Sequence, residues 1–326
     1  MLKFKENVLL AKFTNYKIGG PARFFFEAKT EEDVGRALAE ARSRKIPCFI
    51  LSGGTNLHMP DYGFRGLVLK IAIADISTKG DVISAGAGIS MEKLITLASG
   101  HSLAGLEWAG GLPGALCGAI RGNAGCFGGE IKDSVLAVRS IDTKTLRIVT
   151  RNTKQCRFGY RTSIFKQRPG EIILSVMLRM KKGDRKKIIA SLREKRSWRK
   201  AHHPLEYPSA GSVFKNVPLT DLFPARSTAY RDGIKNLKAN YRGSSFTVFS
   251  VQTGPFPVVA AAKFIGECGL AGVRHGGALI SPKHTNFIVN EHAATARDVL
   301  FLIALVKKKV FSKFGVRLEE EIQIVA

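Results

Sequence analysis

The sequence lacks a long apolar run. The longest, VLFLIALV at residues 299–306, is far too short to span a bilayer and leads into three lysines. The N-terminal stretch MLKFKENVLLAKF mixes lysines with short apolar runs and contains no cleavage site of the kind that ends a secretory signal. These features argue against a membrane protein and indicate a folded cytoplasmic chain with no membrane partner.

Two further groups of signals are missing. The five cysteines form no CxxC pair and no histidines stand at zinc-site spacing, so we expect reduced thiols and no bound metal. No stretch fits the P-loop motif, and GAGISM at 86–91 has Met91 where the dinucleotide fingerprint needs a third glycine. The usual nucleoside-triphosphate and Rossmann sites are therefore disfavoured, and no internal repeat suggests a solenoid.

Acidic residues are scarce beside basic ones. The chain of 326 residues has 26 Asp and Glu against 51 Lys and Arg, a formal charge of +25. Such a charge attracts anions, whether nucleic acids, anionic lipids or phosphorylated small molecules. The basic residues are spread along the chain, with short concentrations at 179–200 and 307–317, so charge alone does not choose the partner.

Periodicity predicts a mixed fold. The first third alternates, with strands at 24–29, 47–54 and 66–71 and an amphipathic helix at 31–45 capped by Thr30. After a helix at 89–101 the chain becomes mainly β. The remaining predictions are strands at 135–142, 146–150, 171–180 and within 278–290, helices at 186–201, 260–270 and 294–315, and a last strand in 319–326.

Residues 219–254 show little periodicity and several basic residues. We interpret them as a long surface insertion whose secondary structure the sequence does not predict. A lid, a contact surface and a disordered segment all remain open.

Two glycine-rich stretches carry the clearest chemical signal. LSGGTNL at 51–57 follows a strand, where consecutive glycines let backbone N–H groups converge on an anion. GGLPGALCGAIRGNAGCFGGE at 110–130 holds eight glycines, with large apolar residues between them. A flexible linker would be polar and monotonous, so the second stretch is better explained as an ordered wall along a bound diphosphate.

Seven segments in one order resemble a specific family. They are residues 14–33, 49–57, 105–131, 158–166 (FGYRTSIFK), 204–216 (PLEYPSAGSVFKN), 275–290 (HGGALISPKHTNFIVN) and 318–325 (LEEEIQIV). Together they are similar to the UDP-N-acetylenolpyruvoylglucosamine reductase (MurB) family of peptidoglycan synthesis. The resemblance covers nearly the whole chain outside 219–254.

The resemblance implies an α+β fold, with a two-part FAD-binding domain of the vanillyl-alcohol-oxidase (PCMH) type and a C-terminal α/β substrate-binding domain. The implied boundaries are 1–75 and 76–201 for the two FAD-binding parts, with strand 318–326 returning to the first, and 202–317 for the substrate domain with its basic insertion at 219–254. It further implies a monomer in which NADPH reduces FAD, and the flavin then reduces a UDP-sugar enolpyruvyl ether to UDP-N-acetylmuramate.

Three residues match the family's catalytic motifs. Ser212 matches the proton donor, while Arg161 and Glu321 match the pair that stabilises an enolate-like intermediate. An arginine suits this role because it can clamp a carboxylate through two hydrogen bonds. A glutamate helps an enolate only when it is protonated or orients a donor.

The family's binding residues carry over by motif. FAD contacts are implied at Gly53, Gly54, Thr55, Asn56, Leu57, Pro113, Gly114, Gly118, Ala119, Asn123, Ala124 and Gly125. Asn123 is expected to add side-chain hydrogen bonds to the cofactor. Substrate contacts are implied at Tyr160, Lys215, Asn216, Lys283 and His284.

The chain departs from the family pattern in places. Phe127 stands where some members have tyrosine, and Gln323 stands where arginine is common. The spacing from Arg161 to Ser212 resembles the subgroup without an extra substrate-capping loop, and a segment such as 219–254 is foreign to that subgroup. A substitute cap or a partner surface is our hypothesis for it.

Two other functions remain as alternatives. The same FAD fold could act on a different alcohol or sugar, although Ser212 and Glu321 in their motifs argue against this. A basic nucleic-acid-binding protein would need aromatic residues among clustered basic ones, and 230–243 is the best local candidate.

Overall fold

The computed structural model describes residues 2–224, 227–236, 238–249 and 257–325, with the main chain only at 233–236. These residues form two compact units. The first comprises the chain up to Leu9, Pro21–Gly54 and Gly63–Ala201; the second comprises Leu10–Gly20, Thr55–Tyr62 and the chain from His202 onward. No helix within the described ranges is both long and apolar enough to cross a membrane.

The helices begin and end at sequence-encoded signals. Thr30 and Thr295 each form a capping box with an aspartate three residues later, and Gly315 ends the last helix in the left-handed conformation. The helix predicted at 31–45 is thus confirmed with its cap. The α-helices are α1 Glu31–Ser43, α2 Met91–Gly100, α3 Leu116–Gly122, α4 Ile164–Gln167, α5 Arg185–His202, α6 Thr228–Asn236, α7 Ala261–Glu267 and α8 Ala296–Phe314.

Strands make up most of the remaining regular structure. In chain order they are β1 Lys5–Leu9, β2 Pro21–Ala28, β3 Cys48–Leu51, β4 Leu57–His58, β5 Phe64–Ile71, β6 Ile76–Lys79, β7 Val82–Gly86, β8 Leu103–Ala104, β9 Gly125–Cys126, β10 Gly129–Glu130, β11 Val135–Asp142, β12 Ile148–Asn152, β13 Glu171–Arg179, β14 Lys181–Lys182, β15 Ser209–Ser212, β16 Val217–Pro218, β17 Lys238–Tyr241, β18 Ser244–Phe249, β19 Val258–Val259, β20 Arg274–His275, β21 Ala278–Ile280, β22 Phe287–Asn290 and β23 Gln323–Ile324.

The first unit contains two larger sheets. One has the order β1-β2-β5-β3, with β2, β5 and β3 parallel and β1 antiparallel at the edge. The other, β12-β11-β13-β7-β6, is antiparallel throughout. Helix α1 buries Val34, Ala37, Leu38 and Ala41, one face of a 3.6-residue period, in the unit's continuous core.

The second unit contains two four-stranded antiparallel sheets, β15-β22-β21-β20 and β16-β19-β18-β17. The buried face of α8 joins their core through Val299, Leu302, Val306 and Val310. Strand β23 pairs in parallel with β4, so the C-terminus meets residues 57–58. The three-part domain division stays a prediction.

The interpretation of 219–254 as a surface insertion was wrong for much of its described length. Strand β18 alternates exposed and buried residues, and Phe246, 1% exposed, packs against Phe264 and Phe314. Leu219 and Val248 belong to the same core. The segment therefore helps to build the second unit; residues 225, 226, 237 and 250–254 lie outside the described part of the chain.

Candidate active site

The two glycine-rich stretches meet within the first unit. A Cβ atom on Gly53 would lie 2.7 Å from the amide nitrogen of Ala115 and 2.8 Å from the Cα of Gly114. Beside this contact the thiol of Cys117 donates a hydrogen bond to Ser52 Oγ at 2.9 Å. Only glycine at position 53 therefore permits the two backbones to touch, and we call the two stretches, 51–54 and 113–125, the glycine cradle.

The glycine cradle exposes main chain to solvent and has no acidic residue of its own. Gly53, Pro113 and Gly118 are exposed, so part of its surface is bare backbone. No acidic residue occurs within 51–54 or 113–125, whereas Arg121 lies in the second stretch. The cradle thus offers close backbone approach and contributes no negative charge of its own, two properties that suit a diphosphate.

Other predicted cofactor residues have definite structural roles. Ala124 donates its N–H to the Ala119 carbonyl at 2.8 Å, closing the end of α3. Gly54 is left-handed, with φ of +64°. The remaining three of the first turn, Thr55, Asn56 and Leu57, belong to the second unit.

The expected side-chain hydrogen bonds from Asn123 to the cofactor were wrong. The residue is 0% exposed, and its amide donates to Glu130 Oε2 at 3.1 Å and to the Gly159 carbonyl at 3.0 Å. Its Oδ1 accepts from Lys132 N at 3.3 Å. Gly125 is also constrained within the protein, because a Cβ there would lie 2.5 Å from Glu130 Cγ.

Arg161 lies in a tight turn of the same unit. Gly159 and Thr162 exchange two backbone hydrogen bonds, of 3.0 and 3.2 Å, and Arg161 between them has φ of +54°. Its Nη1 donates to the Gly125 carbonyl at 3.0 Å, and its guanidinium lies 5.4 Å from the ring centroid of Tyr160. The turn thus brings two predicted site residues together and attaches one to the cradle.

Ser212 ends β15 in the second unit. It pairs with Phe287 of β22 and follows Gly211, whose φ is +78°. The next two residues are held by Asn286: Val213 N donates to its carbonyl at 2.8 Å, and Phe214 N donates to its Oδ1 at 2.9 Å. Main-chain pairing therefore sets the position of the serine.

The Glu321 segment pairs with the residues that directly follow β15. Its N–H donates to the Val213 carbonyl at 2.7 Å, and Phe214 forms a bridge with Glu320. Asn56 donates from Nδ2 to the Glu321 carbonyl at 3.0 Å and accepts on its own carbonyl from Gln323 N at 3.0 Å. The structure thus joins the Ser212 and Glu321 motifs with Asn56.

The predicted substrate residues of the second unit have different surroundings. Lys215 Nζ lies 2.8 Å from Glu319, and Asn216 Oδ1 accepts from Ala261 N at 3.3 Å. Lys283 Nζ lies 3.7 Å from Glu206. Each of these lysines therefore has a carboxylate neighbour, and an ammonium group carries several donors, so a further anion can bind beside that carboxylate.

His284 packs edge-to-face against His203 and Phe287, with ring centroids 5.6 and 4.8 Å away. Its Nδ1 has no hydrogen-bond partner among the described residues. Burial, together with the nearby His202, lowers the pKa of His284 below its ordinary value. Burial therefore favours the neutral ring.

Phe127 occupies the tip of the β9–β10 hairpin with φ of +50°, an unusual conformation for a bulky residue. Its ring contacts Trp198 edge-to-face at 5.1 Å and lies 5.3 Å from the cations of both Lys195 and Arg199. Arg199 Nη2 also donates to Cys126 Sγ at 2.8 Å. Burial raises the pKa of that thiol, although Arg199 and Arg161 partly oppose the effect.

Sequence reasoning missed two residues of this arrangement, Glu130 and Asn286. Glu130 had a local signal, since Asp133 three residues later completes a capping box around the 3₁₀ helix Ile131–Ser134. Asn286 had none, because its bonds to Phe214 join residues 72 positions apart.

Comparison with known proteins defines the class first. Residues 22–150 match the family described as an FAD binding domain, and residues 203–325 match the C-terminal domain of UDP-N-acetylenolpyruvoylglucosamine reductase. The chain is thus an FAD-dependent oxidoreductase, whose two-part FAD-binding domain and C-terminal α/β domain confirm the expected fold class. It belongs to the UDP-N-acetylenolpyruvoylglucosamine reductase family.

Full-length relatives support this assignment. The chain is 38% identical over 315 residues to the reductase of Alkaliphilus oremlandii, covering 96% of this chain and 90% of that protein. It is 34% identical over 325 residues to the reductase of Lachnoclostridium phytofermentans, covering 98% and 92%. The crystal structure of the reductase (MurB) from Thermus caldophilus is similar over 100% of both chains, with a TM-score of 0.73 and 29% identity.

Proposed function

We propose that this chain reduces the enolpyruvyl ether of UDP-N-acetylglucosamine to UDP-N-acetylmuramate, using FAD as the hydride carrier and NADPH as the reductant, in peptidoglycan synthesis. The observation that carries the proposal is the bond from Glu321 N to the Val213 carbonyl, next to Ser212. It joins two separate motifs of the family in one place within the C-terminal domain. Family membership over nearly the whole chain supports the same reaction.

FAD, when bound, supplies the hydride for the enolpyruvyl double bond. In this proposal Ser212 Oγ donates the proton that the neighbouring carbon requires, a task a weakly acidic hydroxyl can perform for a strongly basic centre within hydrogen-bond reach. Arg161 holds the substrate carboxylate and offsets the negative charge that develops on it. Glu321 assists as a protonated acid or by orienting a donor.

The binding assignments belong to the same proposal. The glycine cradle apart from the Asn123 side chain, with the 55–57 segment, holds FAD, and Tyr160, Lys215, Asn216, Lys283 and His284 contact the UDP-sugar. We also propose a cytoplasmic monomer, with 219–249 acting as part of the C-terminal domain. Light scattering of the purified protein checks the monomer.

The direct test combines a spectrum with a substrate comparison. The purified protein should show bound-flavin absorption and should oxidise NADPH only when the enolpyruvyl ether is added. UDP-N-acetylglucosamine, which lacks the enolpyruvyl group, is the matched control and should give no turnover. A colourless protein, or NADPH oxidation equally fast with both sugars, would overturn the proposal.

A further inference from the structure

The turn that carries Arg161 is attached to the end of α3 through side chains. Ser163, at the foot of the turn, donates from Oγ to the Arg121 carbonyl at 2.7 Å. Asn123, directly after α3, donates to the Gly159 carbonyl at the start of the turn. The last turn of α3 and the residue that follows it thus hold the turn at both ends.

Asn123 is suited to this role by its conformation and its burial. It caps α3 in the left-handed region with φ of 44°, a conformation that asparagine and glycine adopt most readily. Both amide hydrogens are used, one on Glu130 and one on Gly159, and the oxygen accepts from Lys132 N. Because both partners of Nδ2 are acceptors and the partner of Oδ1 is a donor, the amide orientation is unambiguous.

The guanidinium of Arg161 forms a further contact with the glycine cradle. Arg161 Nη1 donates to the Gly125 carbonyl, two residues beyond Asn123, and Lys166 Nζ donates to the Arg161 carbonyl at 3.0 Å. The arginine is therefore located relative to the glycine cradle by its main chain, through Gly159, and by its own side chain. Removal of the Asn123 amide would remove the attachment at Gly159.

We propose that Asn123, oriented by Glu130, is a positioning residue that sets Arg161 relative to the glycine cradle. The proposal rests on the function assigned to Arg161 above. Its physical basis is geometric: misplacing a group that acts in the reaction by about 1 Å can reduce the rate about 100-fold. Asn123 itself needs no contact with substrate or cofactor.

Asn123→Gly is the most selective variant, because glycine keeps the left-handed cap while the side chain that makes these hydrogen bonds is removed. We expect it to retain FAD and to be reduced by NADPH within about 3-fold of the wild-type rate, whereas reoxidation of the reduced flavin by the enolpyruvyl ether slows about 30- to 100-fold. Stopped-flow absorbance separates the two half-reactions. Equal losses in both half-reactions would contradict the proposal.

A double-mutant cycle with Arg161→Ala then separates positioning from general damage. If Asn123 acts through Arg161, adding Asn123→Gly to the Arg161→Ala protein should change flavin reoxidation by less than about 3-fold. The same 30- to 100-fold loss in both backgrounds would overturn the positioning role alone. An Arg161→Ala protein that reoxidises at the wild-type rate would instead show that the function assigned to Arg161 is wrong, and the positioning role would fall with it.

Two further measurements use the flavin-free protein. Amide hydrogen exchange at Gly159 and Thr162 should be faster in Asn123→Gly than in wild type, because their reciprocal bonds lose an anchor. Ser140→Ala is the matched control, a buried polar residue of the same unit whose hydroxyl bonds to Val149 and Glu171 instead. Unchanged exchange in Asn123→Gly, or equally faster exchange in Ser140→Ala, would contradict the proposal.

Discussion

The Arg161 turn and the Ser212 strand hold their side chains by different means. In the first unit, Asn123 and Ser163 hold a turn whose central residue has a left-handed backbone. In the second unit, Ser212 lies in a ladder with Phe287, and Val213 accepts the main-chain N–H of Glu321. One position depends on particular side chains, and the other depends on hydrogen bonds that nearly any sequence can make.

This difference determines how each region responds to mutation. A single replacement in the turn can shift Arg161 while the sheets stay intact. A replacement on the Ser212 strand removes a functional group but leaves its scaffold, because the main-chain bonds persist. Asn286 is the exception, because its side-chain amide accepts from the Phe214 N–H and donates to the Phe214 carbonyl, as a paired main chain would.

The largest effect is expected from Ser212→Ala. Loss of a positioned proton donor should lower product formation roughly 10²- to 10⁴-fold, while reduction of the flavin by NADPH is unchanged. Stopped-flow measurement of each half-reaction tests this. Ser209→Ala, in the same strand, is the control and should keep near-wild-type rates; loss of both half-reactions in Ser212→Ala would show that its role is misassigned.

Gly118→Leu should weaken FAD binding by the glycine cradle and leave the second unit folded. Gly118 is exposed and its Cβ position lies 3.2 Å from Ser52 Oγ, so a leucine would fill the surface where we propose that FAD binds. An overpacking cost of about 3 kcal/mol corresponds to about a 100-fold loss of FAD affinity. Flavin titration measures the loss, Gly100→Ala is the control, and retained FAD would place the cofactor elsewhere.

Asn286→Ala tests the one side chain that we expect to stabilise the segment around Ser212, through its hydrogen bonds to Phe214. The main-chain N–H and carbonyl of buried Phe214 would both lose their partner, at a cost of about 3 kcal/mol in the free energy of unfolding. Urea denaturation measures this cost. Asn240→Ala, at an exposed position, should stay within about 0.5 kcal/mol of wild type; a similar value for Asn286→Ala would be inconsistent with our account.

Ser163→Ala tests how much Ser163 contributes, relative to Asn123, to holding the Arg161 turn. It removes one hydrogen bond, to the Arg121 carbonyl, and should lower stability by about 1 kcal/mol. Asn123 still holds the other end of the turn, so flavin reoxidation should slow much less than in Asn123→Gly. An equal or larger loss would mean that Ser163 is the main anchor.

The smallest effect is expected from acid titration of His284. The pKa of His284 is lowered mainly by burial and further by His202. Below about pH 6.5 the unfolded chain therefore binds a proton at this residue more readily than the folded chain does. Stability should therefore fall as the pH drops through that range, and less steeply in His284→Gln. Thermal unfolding at several pH values measures this slope, and an unchanged slope in His284→Gln would contradict the contribution of this residue.

Local patterns predicted the parts of this fold that neighbouring residues decide. The sequence predicted the Thr30 capping box, the buried face of α1 and the two glycine-rich stretches. Each of these patterns lies within a short segment of the chain. The Phe246 core was missed, although SSFTVF alternates, because only contact with Phe264 and Phe314 shows which face is buried.

The sequence by itself determined the family, the order of most elements and a cradle that carries no acidic side chain. Only the tertiary structure decided that the Asn123 amide bonds within the protein, that Asn286 supports Phe214 and that Glu321 reaches Val213. The physical reason is the range of the interactions. Helix caps act over a few residues, whereas the contact of Gly53 with Gly114 and the hydrogen bonds of Asn286 join groups that are distant in sequence and meet only when the chain folds.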